Sequence, residues 1–147
     1  MEFFIDRNLG GKIFPGILQE AGIVVRLHDD YFSNQAPDEE WLPEVARAGW
    51  IVLSSDKGIR NTPRELEAVM RSGAALLEII GGSAPAAMKA RNFVNTFPKI
   101  ERFVFQHRPP YIAKVYRPSP LQLIERGVAG DVRMYMTRDD WERRWRR

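Results

Sequence analysis

Residues 38–56 read DEEWLPEVARAGWIVLSSD, and this stretch holds a complete helix followed by a complete strand. Asp38 stands where a helix N-cap is expected, and Glu39 and Glu40 fall in the first turn, where the helix dipole favours negative charge. Pro43 is tolerable because it comes early in the helix. Gly49 closes the helix in the left-handed conformation that glycine adopts most readily. Trp50–Ser55 is then an apolar run of strand length that leads directly into Asp56.

The same alternation extends in both directions. Upstream, residues 2–6 (EFFID) form a first strand that also ends in an acid, and 7–13 read as a loop. Pro15 suits the first turn of a helix over about 15–21, which Gly22 ends. Residues 23–28 (IVVRLH) are a second strand, where Arg26 argues for partial exposure, and 29–37 are a polar loop. Downstream, Thr62 and Pro63 start a helix that runs to Gly73, and 74–80 form a fourth strand. GGSAP at 81–85 turns into a helix over about 85–106, with Ser83 as its N-cap. Pro98 is expected to kink or split that helix. Pro109 and Pro110 precede a fifth strand, YIAKVY, whose Lys114 suggests a sheet edge. The last thirty residues offer a short helix at 120–126, a strand at 132–136 and a helical tail. Strands separated by helices of this length predict a three-layer α/β/α sandwich around a mainly parallel sheet of about five strands. Right-handed crossovers bring the C-terminal ends of those strands to one rim. Residues 1–147 read as one domain, with a basic helical tail at about 137–147. Trp141 and Trp145, four residues apart on one helix face, are expected to dock that tail.

Composition removes several chemistries. The 147 residues contain no cysteine, which excludes a disulfide scaffold, a thiolate zinc site, an iron–sulfur cluster and a cysteine nucleophile. The two histidines, His28 and His107, belong to no motif and read as structural. There is no GxSxG. No apolar run approaches the roughly 20 residues of a membrane span, so the chain reads as a cytoplasmic protein. The formal charge of +3 is a mild lean toward polyanionic partners.

The acids carry more information. If the strands ending at Asp6 and Asp56 are neighbours, both carboxylates emerge at one rim within reach of a single ion, and Asp38, after a long loop, is free to join them. Two unit charges 4 Å apart repel by about 4 kcal/mol at an effective dielectric near 20, so a proton or a cation has to offset them. Hard oxygen donors without imidazole or thiolate suit Mg²⁺ or Mn²⁺, and such an ion supports hydrolysis of a phosphodiester. Lys57 and Arg60, directly after Asp56, are placed to hold phosphates. The competing reading is plain turn and capping chemistry.

FFIDRNLG, HDDYF, PDEEW and WIVLSSDKGIR, taken in that order, resemble the PIN-like domains of VapC-type toxins. The likeness spans about residues 3–115 and is strongest over 3–60. It implies a PIN-type fold, a divalent metal, endoribonuclease activity on RNA, a cognate antitoxin that blocks the cleft and, by analogy, a homodimer. Carried over residue by residue, Asp6 takes the place of the first-strand metal ligand, Asn8 that of a small polar residue near the metal, Asp38 or Glu39 that of the helical acid, and Asp56 that of the later strand-end aspartate. The chain departs from the pattern at Gly58, where many relatives have a further aspartate. Two other functions compete with the nuclease. A PIN-like module that binds RNA or protein without cleaving it fits Gly58, and a receiver-type phosphotransfer domain would use Asp56 with Lys114.

Overall fold

Consecutive residues of the strands are buried on opposite sides of one sheet. Phe3, Ile5, Ile51, Leu53, Leu77, Ile79, Ala113 and Val115 pack into one core, while Phe4, Val52, Leu76 and Ile112 pack into the other. This is why the strands read as unbroken apolar runs: a parallel sheet covered on both faces has no polar side to expose. The computed structural model describes residues 1–9, 11–55 and 62–144. The strands are β1 (Glu2–Ile5), β2 (Val24–Leu27), β3 (Ile51–Ser55), β4 (Ala75–Ile79), β5 (Tyr111–Tyr116) and β6 (Asp131–Thr137), and the sheet order is β2-β1-β3-β4-β5-β6. The first five strands are parallel, and β6 runs antiparallel to β5.

Helices α1 (Ile13–Glu20) and α5 (Ala86–Gln106) supply Phe14, Leu18, Ala90, Phe93, Ile100 and Phe103 to the first core. Helices α3 (Asp38–Ala48), α4 (Pro63–Ser72) and α7 (Arg138–Arg144) supply Trp41, Leu42, Val45, Leu66, Val69, Met70 and Trp141 to the second. Two short helices, α2 (His28–Tyr31) and α6 (Gln122–Glu125), and a 3-10 turn over Arg7–Leu9 are the remaining helical elements among the described residues. The three-layer α/β fold is as expected. Gly49 and Gly73 end α3 and α4 with φ of 77° at each, a conformation that costs other residues a steric penalty.

Several local expectations change. The sheet has six strands, and YIAKVY is not an edge, because β6 covers it. Lys114 is tolerated inside the sheet because the β5–β6 register shifts after Ile112, leaving Tyr135 as the extra residue of a bulge, and the Lys114 ammonium lies 4.3 Å from the Tyr135 ring centroid. Pro98 lies within a single helix, α5, where packing of Phe93, Phe97, Ile100 and Phe103 on both sides of it outweighs the lost hydrogen bond. Ser83 is not the N-cap of α5; that position is Pro85, after a turn closed by Ala84 N–H on the Gly81 carbonyl. The polar loop after β2 begins as helix α2. His28 is buried against Trp41, with ring planes at 90°, and His107 stacks on Phe103 at 4.0 Å, so both serve packing. Trp141 docks the tail as expected, with Arg71 over its ring at 5.6 Å, whereas Trp145 lies outside the described residues.

The last segment is latched by polar groups of α5. The Asn92 amide donates to the Tyr116 carbonyl at 3.1 Å, and the Thr96 hydroxyl accepts the Gly130 N–H at 2.9 Å. Lys99 donates to the Gly130 carbonyl at 2.9 Å. A β-carbon on Gly130 would stand 1.8 Å from the Tyr116 carbonyl oxygen. Gly130→Ala is therefore expected to lower unfolding stability in urea by about 1–3 kcal/mol or more through overpacking. An unchanged midpoint would show that β6 is not held by this approach.

Candidate active site

Strand order reverses between β1 and β3, since the chain leaves β1 toward β2 and leaves β3 toward β4. The helix after β1 covers one face and the helix after β3 covers the other, which opens a crevice at the C-terminal ends of these two strands. Asp6, the first residue beyond β1, stands in that crevice. Its N–H donates to the Leu53 carbonyl at 2.9 Å and extends the β1–β3 ladder by one bond. Its carbonyl accepts the Leu9 N–H at 3.0 Å, which closes a 3-10 turn over Arg7–Leu9 and carries the chain aside.

The Asp6 carboxylate is held at both oxygens. Oδ1 accepts the Arg7 N–H at 2.6 Å, and Oδ2 accepts the hydroxyl of the fully buried Ser54 at 3.1 Å. Ser54 in turn accepts the Asn8 amide at 3.2 Å, while Asn8 Oδ1 takes the Ser55 N–H at 3.1 Å. Asn8 thus ties the turn to β3. Burial pushes the Asp6 carboxyl above the ordinary aspartate range; the Ser54 and Arg7 hydrogen bonds, and the charges of His28 and Arg7, pull in the opposite direction.

Asp38 opens α3, but the N-cap is Pro37, and no side chain caps the helix. The capping expectation fails because α3 takes in Asp38 itself and starts after Pro37. The Asp38 carboxyl is also pushed up, first by burial and then by the negative charges of Asp6, Glu65 and Glu39. Glu39 is exposed and turned away onto Arg64, Oε1 to Nε 3.1 Å. Its own backbone N–H, and then Arg64, hold that carboxyl below the usual range. Asp38 therefore feels the charges of Asp6, Glu65 and Glu39, while the Glu39 carboxylate itself is paired with Arg64. Asp56, Lys57 and Arg60 lie outside the described residues; β3, which leads to them, ends at Ser55 beside Asp6. Among the described residues, no three carboxylates or imidazoles converge closely enough to chelate an ion by themselves.

Sequence reasoning missed Ser54, which had a signal as a hydroxyl residue late in an apolar strand.

Two depressions flank the crevice. One, of about 360 Å³, is lined by Arg7, Lys12, His28 and Asp29. The other, of about 540 Å³, runs between α3 and α4 past Glu39, Arg47, Arg64 and Arg71.

The profile of the PIN-like domain family matches residues 1–79, more than half of the chain. The chain belongs to the PIN-like domain family. It is similar to a Mycobacterium tuberculosis protein named "Putative ribonuclease VapC45", with 28% identity over 123 residues, covering 76% of this chain and 89% of that protein. No solved structure matches the chain.

The raised Asp6 carboxyl gives a pH prediction. An acid whose folded pKa exceeds its unfolded value loses stability as pH rises from the unfolded value through the folded one. Asp6→Asn removes that penalty, so in EDTA the variant should melt above the parent at pH 7.5, with the gain shrinking toward about pH 4. A gain that grows on acidification would contradict this account.

Proposed function

We propose that this chain is a metal-dependent endoribonuclease of the VapC toxin type. The observation that carries the reading is Asp6, fixed at the strand-order reversal with a carboxylate that shares its field with Asp38. The PIN-like family and the VapC45-named relative support the same chemistry. Asp6, Asp38 and Asp56 hold the ion, Mg²⁺ or Mn²⁺. Their donors are all hard oxygens, and the sharing of one field by partly buried carboxylates suits a site that a cation completes. A divalent ion bound there supplies Lewis acidity toward a phosphodiester and its attacking water.

Each residue of the chain then has a defined task. Ser54 and the Arg7 N–H keep Asp6 oriented and favour its ionised form. The Trp41 indole favours the ionised form of Asp38. Asp38 is the helical acid, and Glu39 positions Arg64 at the rim. Asn8 sets the turn that carries Arg7 toward an approaching RNA strand. Lys57 and Arg60, with Arg7 and Lys12, receive the phosphates on either side of the scissile one. The VapC resemblance extends the reading to a cognate antitoxin, to a homodimer and to a cytoplasmic location. Among the described residues, no helix is long and apolar enough to cross a membrane.

The test is cleavage of a mixed RNA substrate with Mg²⁺ or Mn²⁺, alongside EDTA and Asp6→Asn. Cleavage should depend on the metal and fall on the order of 10³-fold in the variant. RNA binding without cleavage under any of these conditions would overturn the nuclease reading and favour a non-catalytic module.

A further inference from the structure

Residues 86–117, which span α5 and β5, hold seven lysines and arginines but one acid, Glu101, whereas the rest of the chain holds fifteen cations and eighteen acids. The ion pairs follow the same division. Every arginine paired with a carboxylate among the described residues lies outside this stretch. Arg102 and Arg108 are exposed, and Phe105 stands between them in sequence. At 79% exposure it is the most exposed of the large hydrophobic side chains described. Arg102 and Phe105, three residues apart, are neighbours on the helix surface. Phe105 also lines an apolar depression of about 270 Å³ with Trp50, His107 and Tyr111, where an unstacked base meets aromatic surface in place of water.

This basic stretch begins at the crevice rim. Ile79, the last residue of β4, is in register with Ser55, and the turn that follows carries Lys89 across it: a β-carbon on Gly81 would stand 3.0 Å from Lys89 Cε. Arg117 follows β5 at the same rim, where Asn92 of α5 holds the Tyr116 carbonyl. From Lys89 to Phe105 the helix rises about 24 Å. Two cations along the way are less free, since Lys99 donates to the Gly130 carbonyl and Arg91 shares a depression with Glu20 and Glu125.

We propose that α5 and the ends of β5 form an accessory surface for single-stranded RNA, along which a substrate strand runs away from the crevice. Lys89 and Arg117 take phosphates at the rim, Arg102 and Arg108 take phosphates at the far end, and Phe105 stacks a base between them. Unpaired cations interleaved with an exposed ring suit this partner, because phosphates supply the missing charge and any base offers a face to stack. The surface deepens the nuclease reading above and rests on it for the choice of RNA.

The test is binding of a labelled, mixed-sequence RNA of about sixteen nucleotides, followed by fluorescence anisotropy in EDTA over a range of salt, and cleavage of the same RNA with Mn²⁺. The proteins are the intact parent, Arg102→Gln/Arg108→Gln and Phe105→Ser, all changed at exposed positions and expected to melt with the parent. The double variant should bind more weakly and lower the salt slope by about 1.4, for two lost phosphate contacts. Phe105→Ser should bind about fivefold more weakly or worse with the slope unchanged, because stacking carries no charge. Both should keep the parent's kcat at saturating RNA. Parent-like affinity and slope in both variants, with cleavage intact, would overturn the surface and leave the nuclease reading standing. The expected losses in a parent that binds but never cleaves would overturn the nuclease reading and leave the surface standing. No RNA binding by the parent would overturn the surface whatever the cleavage result.

Discussion

Three register pairs, Phe3 with Ile51, Phe4 with Val52 and Ile5 with Leu53, join β1 to β3, and the bond from Asp6 N–H to the Leu53 carbonyl adds a fourth step. Everything at the crevice depends on that ladder. It lies where strand order reverses, so the connections on either side diverge and leave the strand ends uncovered. Both strands are buried on both faces, so neither can slip by one residue without moving Phe3 or Phe4 into the wrong core. The position of the first acid is therefore set by packing some distance from it.

Around that fixed point the polar groups form a short chain of dependence. Asn8 holds Ser54, Ser54 holds Asp6, and the Asp6 backbone is part of the ladder itself. Hydrogen bonds of this kind steady the anion, yet burial outweighs them and leaves the Asp6 carboxyl above the ordinary aspartate range; at Asp38 burial and neighbouring negative charges act in the same direction.

The fold was largely legible in the sequence. The run IVLSS, the glycine stops at Gly22, Gly49 and Gly73, and the Thr62-Pro63 start all act locally, and local rules read them correctly. What escaped was non-local. Lys114 looked like an edge residue because nothing in YIAKVY shows that Tyr135, twenty-one residues on, bulges to meet it. Ser83 and Asp38 looked like caps because cap preference is a statement about isolated helix ends, whereas here α3 and α5 start after Pro37 and Pro85 with no side-chain cap. The site was legible in part for the same reason. Asp6 marks a strand end and can be found from one, whereas the pairing of Glu39 with Arg64 across α3 and α4 is non-local and shows only in the fold.

The bulge at Tyr135 has a consequence for assembly. A sheet grows by adding strands at its edges, and this one is blunted at both. β2 is four residues long and carries Arg26, which pairs with Glu2 and lies 5.2 Å from the Trp50 ring centroid. β6 is longer, but its irregular register and the Arg133–Asp131 pair interrupt the straight row of donors and acceptors that an incoming strand would copy. Fibrillar stacking through the sheet is thus resisted at either side.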